Sequence, residues 1–521
     1  MTSGKALFVS LFLTLLLVGC LNDRSPDILP RSSPEAEGVA SEGILKFVEA
    51  VERSQSEFHS FMFLRHGKVI AEGYWEPYTK DLKNTLYSAT KSFSSTAVGF
   101  AVSEGKLSVD EPVISFFSDE LPDTLSAYHT RLTVKDLLTM SAGQNPIHGT
   151  IAGEPNWVKV FWNSPVLHEP GTMFQYNSLC SHMLSAIIQK VTGEKLIDYL
   201  TPRLFEPLGI TGMDWEEDPQ GINTGGWGLR IKTEDMAKFG QLYLQNGIWK
   251  SSKILPEEWI EEATSIKIEQ APDLPQSKKD SSDWLQGYCY QFWRCRHNAF
   301  RADGANGQFI VVMPDQDAVI AITSETIGGQ YGGMQDELNL VWKYLLPAIH
   351  ETDLPADKKM ATALKQKLSS LALPLPEKKD TPDFVNNITG KSFTMEPNKA
   401  HFERMSFSIT GEICHVTIQA GTDTYQLAFG SSSWAPGETT KSGNSMFTGV
   451  RAGSGKLLPI KVAGCYNWTD ENKLRLVLRY TETPHSATMI CSFDQNKITV
   501  ELKNSRNPQM IFSLLKGELN E

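Results

Sequence analysis

Leu86-Tyr87-Ser88-Ala89-Thr90-Lys91-Ser92-Phe93 sets a hydroxyl and an amine three residues apart, so on a helix the two side chains share a face. A serine hydroxyl is a weak nucleophile at neutral pH and needs a base within hydrogen-bond reach. A lysine can be that base only if burial lowers its pKa. The residues that follow supply the burial: from Ser94 to Val102 the chain reads Ser-Ser-Thr-Ala-Val-Gly-Phe-Ala-Val, with no charge before Glu104. That run predicts a helix packed on all sides, stopped by Gly105. Spacing alone does not single the pair out, because Ser103-Glu104-Gly105-Lys106 and Ser513-Leu514-Leu515-Lys516 repeat it.

Upstream, Ile44, Leu45, Phe47, Val48 and Val51 form one apolar stripe of a helix over Ser41 to Ser54. Phe61-Met62-Phe63-Leu64, a turn at His66-Gly67 and Val69 to Trp75 then predict a hairpin. Downstream, Leu107 to Gly171 is turn-rich with short helices, including Thr133 to Met140, which suits a helical subdomain bordering a cleft. A helix follows from Leu179 to Thr192, capped by Gly193, and another starts near Thr233-Glu234-Asp235. Continuous apolar strands at Gln308 to Met313 and Ala318 to Ile322 predict a sheet covered on both faces, with Met334 to Ile349 as a closing helix. The expectation is an α/β (α+β) domain over residues 37–352, its N- and C-terminal helices on one face of an antiparallel sheet.

Residues 353–382, with Leu373-Pro374-Leu375-Pro376, read as a linker containing a short helix. Beyond it the period changes to two. Met405/Phe407/Ile409, Tyr425/Leu427/Phe429, Leu474/Leu476/Leu478/Tyr480 and Ile498/Val500/Leu502 alternate with mostly polar neighbours, and Asp494-Gln495-Asn496 marks a tight turn. This predicts a separate antiparallel β domain over residues 383–521, for which a small barrel is one form of closure. It carries no catalytic constellation. A packing or spacer module is its plain reading, with glycan or peptide binding as the alternative.

The amino terminus has the form of an export signal: Lys5, then an apolar run from Ala6 to Val18, ending in Leu17-Val18-Gly19-Cys20. That tetrapeptide resembles a bacterial lipobox, so residues 1–20 are expected to be a lipoprotein signal peptide and Cys20 the lipidated residue. Residues 21–36 would be a flexible tether and the protein exported and lipid-anchored to a bacterial membrane, on its periplasmic or cell-surface side. A net charge of −12 without a basic cluster excludes a nucleic-acid partner. The other six cysteines permit disulfides without requiring them, and no cysteine or histidine spacing suits a metal. No Gly-x-Ser-x-Gly elbow is present. His66, His168, His182 and His297 lack a paired acid at informative spacing and are expected to be structural or exposed.

Taken in order, Ser88-Ala89-Thr90-Lys91, Tyr176-Asn177-Ser178 and Gly304-Ala305-Asn306-Gly307-Gln308 resemble the serine β-lactamase and penicillin-binding superfamily, and within it the class C-like esterase and amidase branch. Thr133 to Leu138, Glu169-Pro170-Gly171 and Leu204 to Ile210 extend the likeness over roughly residues 40 to 345. The resemblance implies that Ser88 attacks a carbonyl to form an acyl-enzyme and that Lys91 accepts its proton or shares it with Tyr176. The Tyr176 phenol, its pKa lowered by a nearby ammonium, then protonates the leaving group. It implies an oxyanion site made by the backbone amides of Ser88 and Ala305, with Ser178, Asn306 and Gln308 as substrate-binding candidates. It implies no metal and no cofactor. Alternatives remain for the last three: Ser178 as a helix N-cap, Asn306 and Gln308 as turn and strand-edge residues. Tyr176 could likewise be a buried aromatic with a bonded hydroxyl.

Two departures narrow the chemistry. The family's second box commonly reads Tyr-x-Asn, whereas Ser178 stands here, and its third box commonly begins with Lys or His, whereas Ala302-Asp303-Gly304 has no cation to hold a substrate carboxylate. Tyr-x-Ser with Gly-x-x-Gly-Gln instead resembles 6-aminohexanoate-dimer hydrolase-like members. The expected activity is cleavage of an ester, small linear amide or short peptide, with D-amino-acid peptidase or β-lactamase activity as one alternative. A surface binding lipoprotein with a vestigial hydrolase domain is the other.

Overall fold

The computed structural model describes residues 28–146, 151–326, 332–377, 382–443 and 459–520. The expected signal peptide, the lipidation expected at Cys20 and the first part of the expected tether lie outside the described residues. Helix α1 (Ser41–Arg53) buries Ile44, Phe47, Val48 and Val51, the stripe its sequence predicts. It leads into β1 (Ser56–Arg65) and β2 (Lys68–Tyr74), the expected hairpin. After the first turn of the Ser88 segment comes α2 (Thr90–Ser103), and later α3 (Ser178–Thr192) and α4 (Thr233–Leu244). Strands β3 (Trp293–Arg294), β4 (Phe300–Gly304), β5 (Gln308–Met313) and β6 (Ala318–Thr326) follow, then α5 (Gly332–Leu340).

The six strands form one antiparallel sheet in the order β2-β1-β6-β5-β4-β3. Successive residues point to opposite faces, and both faces are covered. Phe47 of α1 stacks edge-on against Phe61 of β1, with ring centroids 5.6 Å apart, while on the other face Gly240 of α4 sits over Val319 and Ile310. This double cover is why β5 and β6 are apolar along nearly their whole length. The chain after α5 winds on through Leu346–Ala348 and packs on α1, so the terminal helices share a face as expected.

Two segments are more firmly docked than their composition suggests. Leu29 is buried and Arg31 bridges to Val69 and pairs with Glu72 and Glu234, so the chain is docked from residue 29 rather than from the boundary expected at 37. In the linker, the helix Lys358–Ser369 lies against α1, where Lys367 pairs with Glu52, and Leu371 and Leu373 are buried.

The C-terminal strands are β7 (Lys391–Met395), β8 (Arg404–Thr410), β9 (Ile413–Ala420), β10 (Asp423–Gly430), β11 (Ala435–Thr439), β12 (Ile460–Asp470), β13 (Lys473–Tyr480), β14 (Ser486–Asp494), β15 (Lys497–Asn504) and β16 (Ser513–Leu519). Nine of them close into a barrel in the order β10-β9-β8-β7-β16-β15-β14-β13-β12, and β11 flanks β12. The seam is a parallel contact between Gly430 of β10 and Cys465 of β12. Gly464 permits that approach, because a Cβ there would lie 2.2 Å from the Ala428 carbonyl oxygen. The alternating residues Met405, Phe407, Leu427, Leu476 and Val500 fill a second hydrophobic core distinct from the first.

Candidate active site

Ser88 lies in the tight turn Tyr87–Ala89 that feeds α2, and Lys91 sits in the first turn of that helix. Every residue of α2 from Thr90 to Ala101 is buried. Its hydroxyls make this possible by bonding main-chain carbonyls: Ser92 donates to Gln291 O at 2.8 Å, and Ser94 to Gly225 O at 2.7 Å. Lys91 is 1 % exposed. Its Nζ donates to Ser88 Oγ at 3.1 Å, to Ser178 Oγ at 3.2 Å and to the Gly226 carbonyl at 2.6 Å. Burial without a bonded carboxylate lowers its pKa to about 7, with Asp303 pulling weakly the other way. An ammonium and a free amine are therefore both accessible to it near neutral pH.

Tyr176 reaches the same place from the loop before α3. Its ring lies beneath the Lys91 ammonium, with Nζ 4.9 Å from the ring centroid, and packs against Phe174, Tyr288 and Trp293. Ser178 faces Lys91, and the helix N-cap is its neighbour Asn177, whose side chain accepts from Leu179 N at 3.0 Å. The capping alternative for Ser178 is thereby corrected: a serine at the first helical position leaves its hydroxyl free to turn toward the lysine.

Ala305 stands opposite, at the turn between β4 and β5. Gly304, just before it, lets β4 pass the Ser88 turn, since a Cβ there would lie 2.1 Å from Leu86 O. Ser88 and Ala305 line one cavity of ≈ 240 Å³ with Phe174, Tyr176, Trp293 and Asp303. Asn306 and Gln308 are not among its walls. Asn306 adopts φ 64°, and its carbonyl accepts from Thr326 N at 3.2 Å and Ser324 Oγ at 2.9 Å. The Gln308 amide donates to Ala305 O at 3.3 Å and Ser324 O at 2.7 Å, so both residues shape the turn that presents Ala305.

Behind the cavity, Arg301 is fully buried between rings, 4.3 Å from the Trp284 centroid, and donates from Nε to Asp303 at 2.7 Å and from Nη1 to the Asp283 carbonyl at 2.8 Å. Asp283 is buried too, yet Arg296 above all holds its carboxyl at about 2. The wall's cation is thus paired with Asp303, and the lining is aromatic with one carboxylate. No spacing in the sequence links these residues. The Gly226 carbonyl was equally hidden, although the pair Gly225-Gly226 marks a backbone that a side chain can approach closely.

The histidines and cysteines left open by the sequence find their places. His182 is buried 3.1 Å from Asp218, and His66 lies 3.0 Å from Glu37, so both have acids that sequence spacing concealed. The six described cysteines are free and buried, with Cys289 and Cys295 unpaired.

Comparison with known proteins places the chain in a family. The family model named Beta-lactamase matches residues 48–339. The 6-aminohexanoate-dimer hydrolase of Paenarthrobacter ureafaciens is 23% identical over 285 residues, half of this chain and 71% of that protein. A provisionally named D-alanyl-D-alanine carboxypeptidase of Escherichia coli K12 is 25% identical over 235 residues, 39% of this chain and 54% of that protein. A solved structure from Bacillus anthracis, provisionally named a 6-aminohexanoate-dimer hydrolase, superposes with a TM-score of 0.52 at 20% identity, covering 64% of this chain and 90% of its own. The match takes in more than half of the chain and includes the Ser88 turn, the Tyr176 loop and the β4–β5 turn, and the chain belongs to the beta-lactamase family of hydrolases.

Proposed function

We propose that the protein is a serine hydrolase that cleaves an ester or small linear amide through an acyl-enzyme on Ser88. The observation that carries this is the buried Lys91 amine, 3.1 Å from Ser88 Oγ with its pKa brought to about 7. Neutral Nζ takes the Oγ proton as Oγ bonds to the substrate carbonyl carbon, and the carbonyl electron pair moves onto oxygen. The backbone amides of Ser88 and Ala305 meet that oxyanion. As the carbon–oxygen or carbon–nitrogen bond breaks, the leaving group takes the proton held by Lys91, relayed through the Tyr176 phenol. Water then attacks the acyl carbon, Lys91 accepts its proton, and the carboxylic acid departs as Ser88 regains its hydrogen.

The cavity supports esters and linear amides over substrates that present a carboxylate. Where a cation would grip that carboxylate, Asp303 lines the wall, and its neighbour Arg301 is already bonded to it. Incubation with a fluorophosphonate should add the phosphonyl mass to the Ser88 peptide. Labelling that persists unchanged in Ser88→Ala would sink the reading, and acylation by penicillin in preference to simple esters would favour a D-amino-acid peptidase or β-lactamase instead.

A further inference from the structure

Tyr87, the residue before Ser88, adopts φ 46° and is buried. For a bulky side chain this left-handed backbone costs about 1–2 kcal/mol and persists only where the surroundings hold it. The barrel provides much of that hold. Its turn between β13 and β14 reaches the catalytic domain, and the Glu482 carbonyl accepts from Thr85 N at 3.0 Å. His485, fully buried at the end of that turn, places Nε2 2.5 Å from the Tyr87 hydroxyl and Nδ1 2.7 Å from Glu325 Oε1. Glu325 stands at the end of β6, and Ser505 of the barrel donates to the same oxygen at 2.7 Å.

One proton arrangement satisfies the chain of contacts. Nδ1–H donates to the Glu325 carboxylate, which leaves Nε2 as the acceptor for the Tyr87 O–H. The turn itself is fixed by Thr483 N donating to Tyr480 O at 2.8 Å, by His485 N donating to Thr483 Oγ1 at 3.2 Å, and by the Glu482 carboxylate 3.5 Å from Arg230. The imidazole is thus a rigid strut between the end of β6 and the strained residue that precedes Ser88.

We infer that His485 is a positioning residue for Ser88: it fixes the Tyr87 backbone, and through it the direction of Ser88 Oγ and of the Ser88 amide. The inference rests on the reading of Ser88 as the nucleophile. It gives the C-terminal barrel a part in the chemistry that a spacer would not have. Misplacing a reacting group by about 1 Å can cost 10²-fold in rate while leaving substrate binding intact.

The test uses the full-length protein and a short-chain ester, with fluorophosphonate labelling in parallel. His485→Gln carries an acceptor to the Nε2 position and can hold the Tyr87 hydroxyl. His485→Asn reaches only the Nδ1 position, beside Glu325. We expect His485→Asn and Tyr87→Phe each to lower kcat and the labelling rate about 10- to 100-fold with KM within about twofold. His485→Gln should recover most of the loss, and Tyr87→Phe combined with His485→Asn should be no slower than the worse single variant. A folded His485→Asn with wild-type kcat, a His485→Gln no better than His485→Asn, or losses that multiply in the double variant would overturn the inference. Tyr87→Phe keeps the ring and its packing, so it decides the matter if the His485 variants do not fold. Failure of the nucleophile reading is separately visible as labelling that survives Ser88→Ala.

Discussion

The base proposed at Lys91 should write its own pH profile. Burial brings the amine from 10.5 to about 7, which corresponds to about 5 kcal/mol of lost preference for the charged form. At pH 7 about half of the molecules then carry a neutral Lys91, against about one in 3,000 for an unperturbed lysine. The second-order rate of acylation by a short-chain ester, followed from pH 5 to 9, should rise about tenfold per pH unit below pH 6 and level off above pH 8. Asp303→Asn removes a carboxylate that pulls the amine up and should move the limb to lower pH. Stability carries the same signature. Between about pH 7 and 10.5 the unfolded chain holds a proton on this lysine that the folded chain has shed, so the cost of burying Lys91 is fully present below pH 7 and is relieved as pH rises through that window. Urea midpoints of wild type minus Lys91→Met should therefore converge on going from pH 7 to 10. A rate flat from pH 6 to 8, or a stability difference indifferent to pH in that window, would refute the assignment of Lys91 as a desolvated base.

Three further outcomes are expected. Gly304→Ala drives a Cβ to within 2.1 Å of Leu86 O, so it should lower stability by about 1–3 kcal/mol and slow labelling of Ser88, read by denaturant titration and mass spectrometry. Glu57 is half-buried, yet Arg479, which donates from Nη2 at 2.8 Å, and then His59 hold its carboxyl at about 2. Its contribution is complete above about pH 4.5 and is lost as pH falls toward 2, and Glu57→Gln, which strands a buried Arg479, should cost about 3–5 kcal/mol at pH 7 while flattening that acid loss. If Cys20 carries the anchor, radiolabelled palmitate should enter the wild-type protein and not Cys20→Ser, and the variant should partition into the soluble fraction.

Much of the site was legible because it is local. Ser88 and Lys91 lie within one turn, and the uncharged run after them announces the burial that lowers the lysine. Period-two alternation likewise located the barrel strands, since a half-buried strand must alternate. What escaped the sequence is long-range: the Gly226 carbonyl that takes the third Lys91 hydrogen bond, Arg301 behind the cavity wall, and His485, which lies 398 residues from its partner Tyr87. No periodicity links such residues, and only the closed fold decides which meet. The Tyr-x-Ser box pointed to Ser178 but could not say whether it capped α3 or faced Lys91. Asn177, an equally good cap, settled that by taking the position one residue earlier. Composition misled at residues 29–36, where prolines and polar residues suggested a free tether but Leu29 and Arg31 dock on the sheet.

The six buried thiols give each half of the molecule its own clock. Cys180, Cys289 and Cys295 belong to the first domain, Cys414 and Cys491 line the barrel core, and Cys465 of β12 packs into the first core where the two meet. Burial pushes the Cys180, Cys289 and Cys414 thiols up to about 12, so they are almost wholly unreactive while the fold stays shut. A maleimide added in native buffer can modify them only during openings, and peptide mapping would separate the opening frequency of the barrel from that of the domain it braces. If the two report the same rate, the molecule breathes as one body; if the barrel thiols react first, the barrel loosens before the Ser88 turn does.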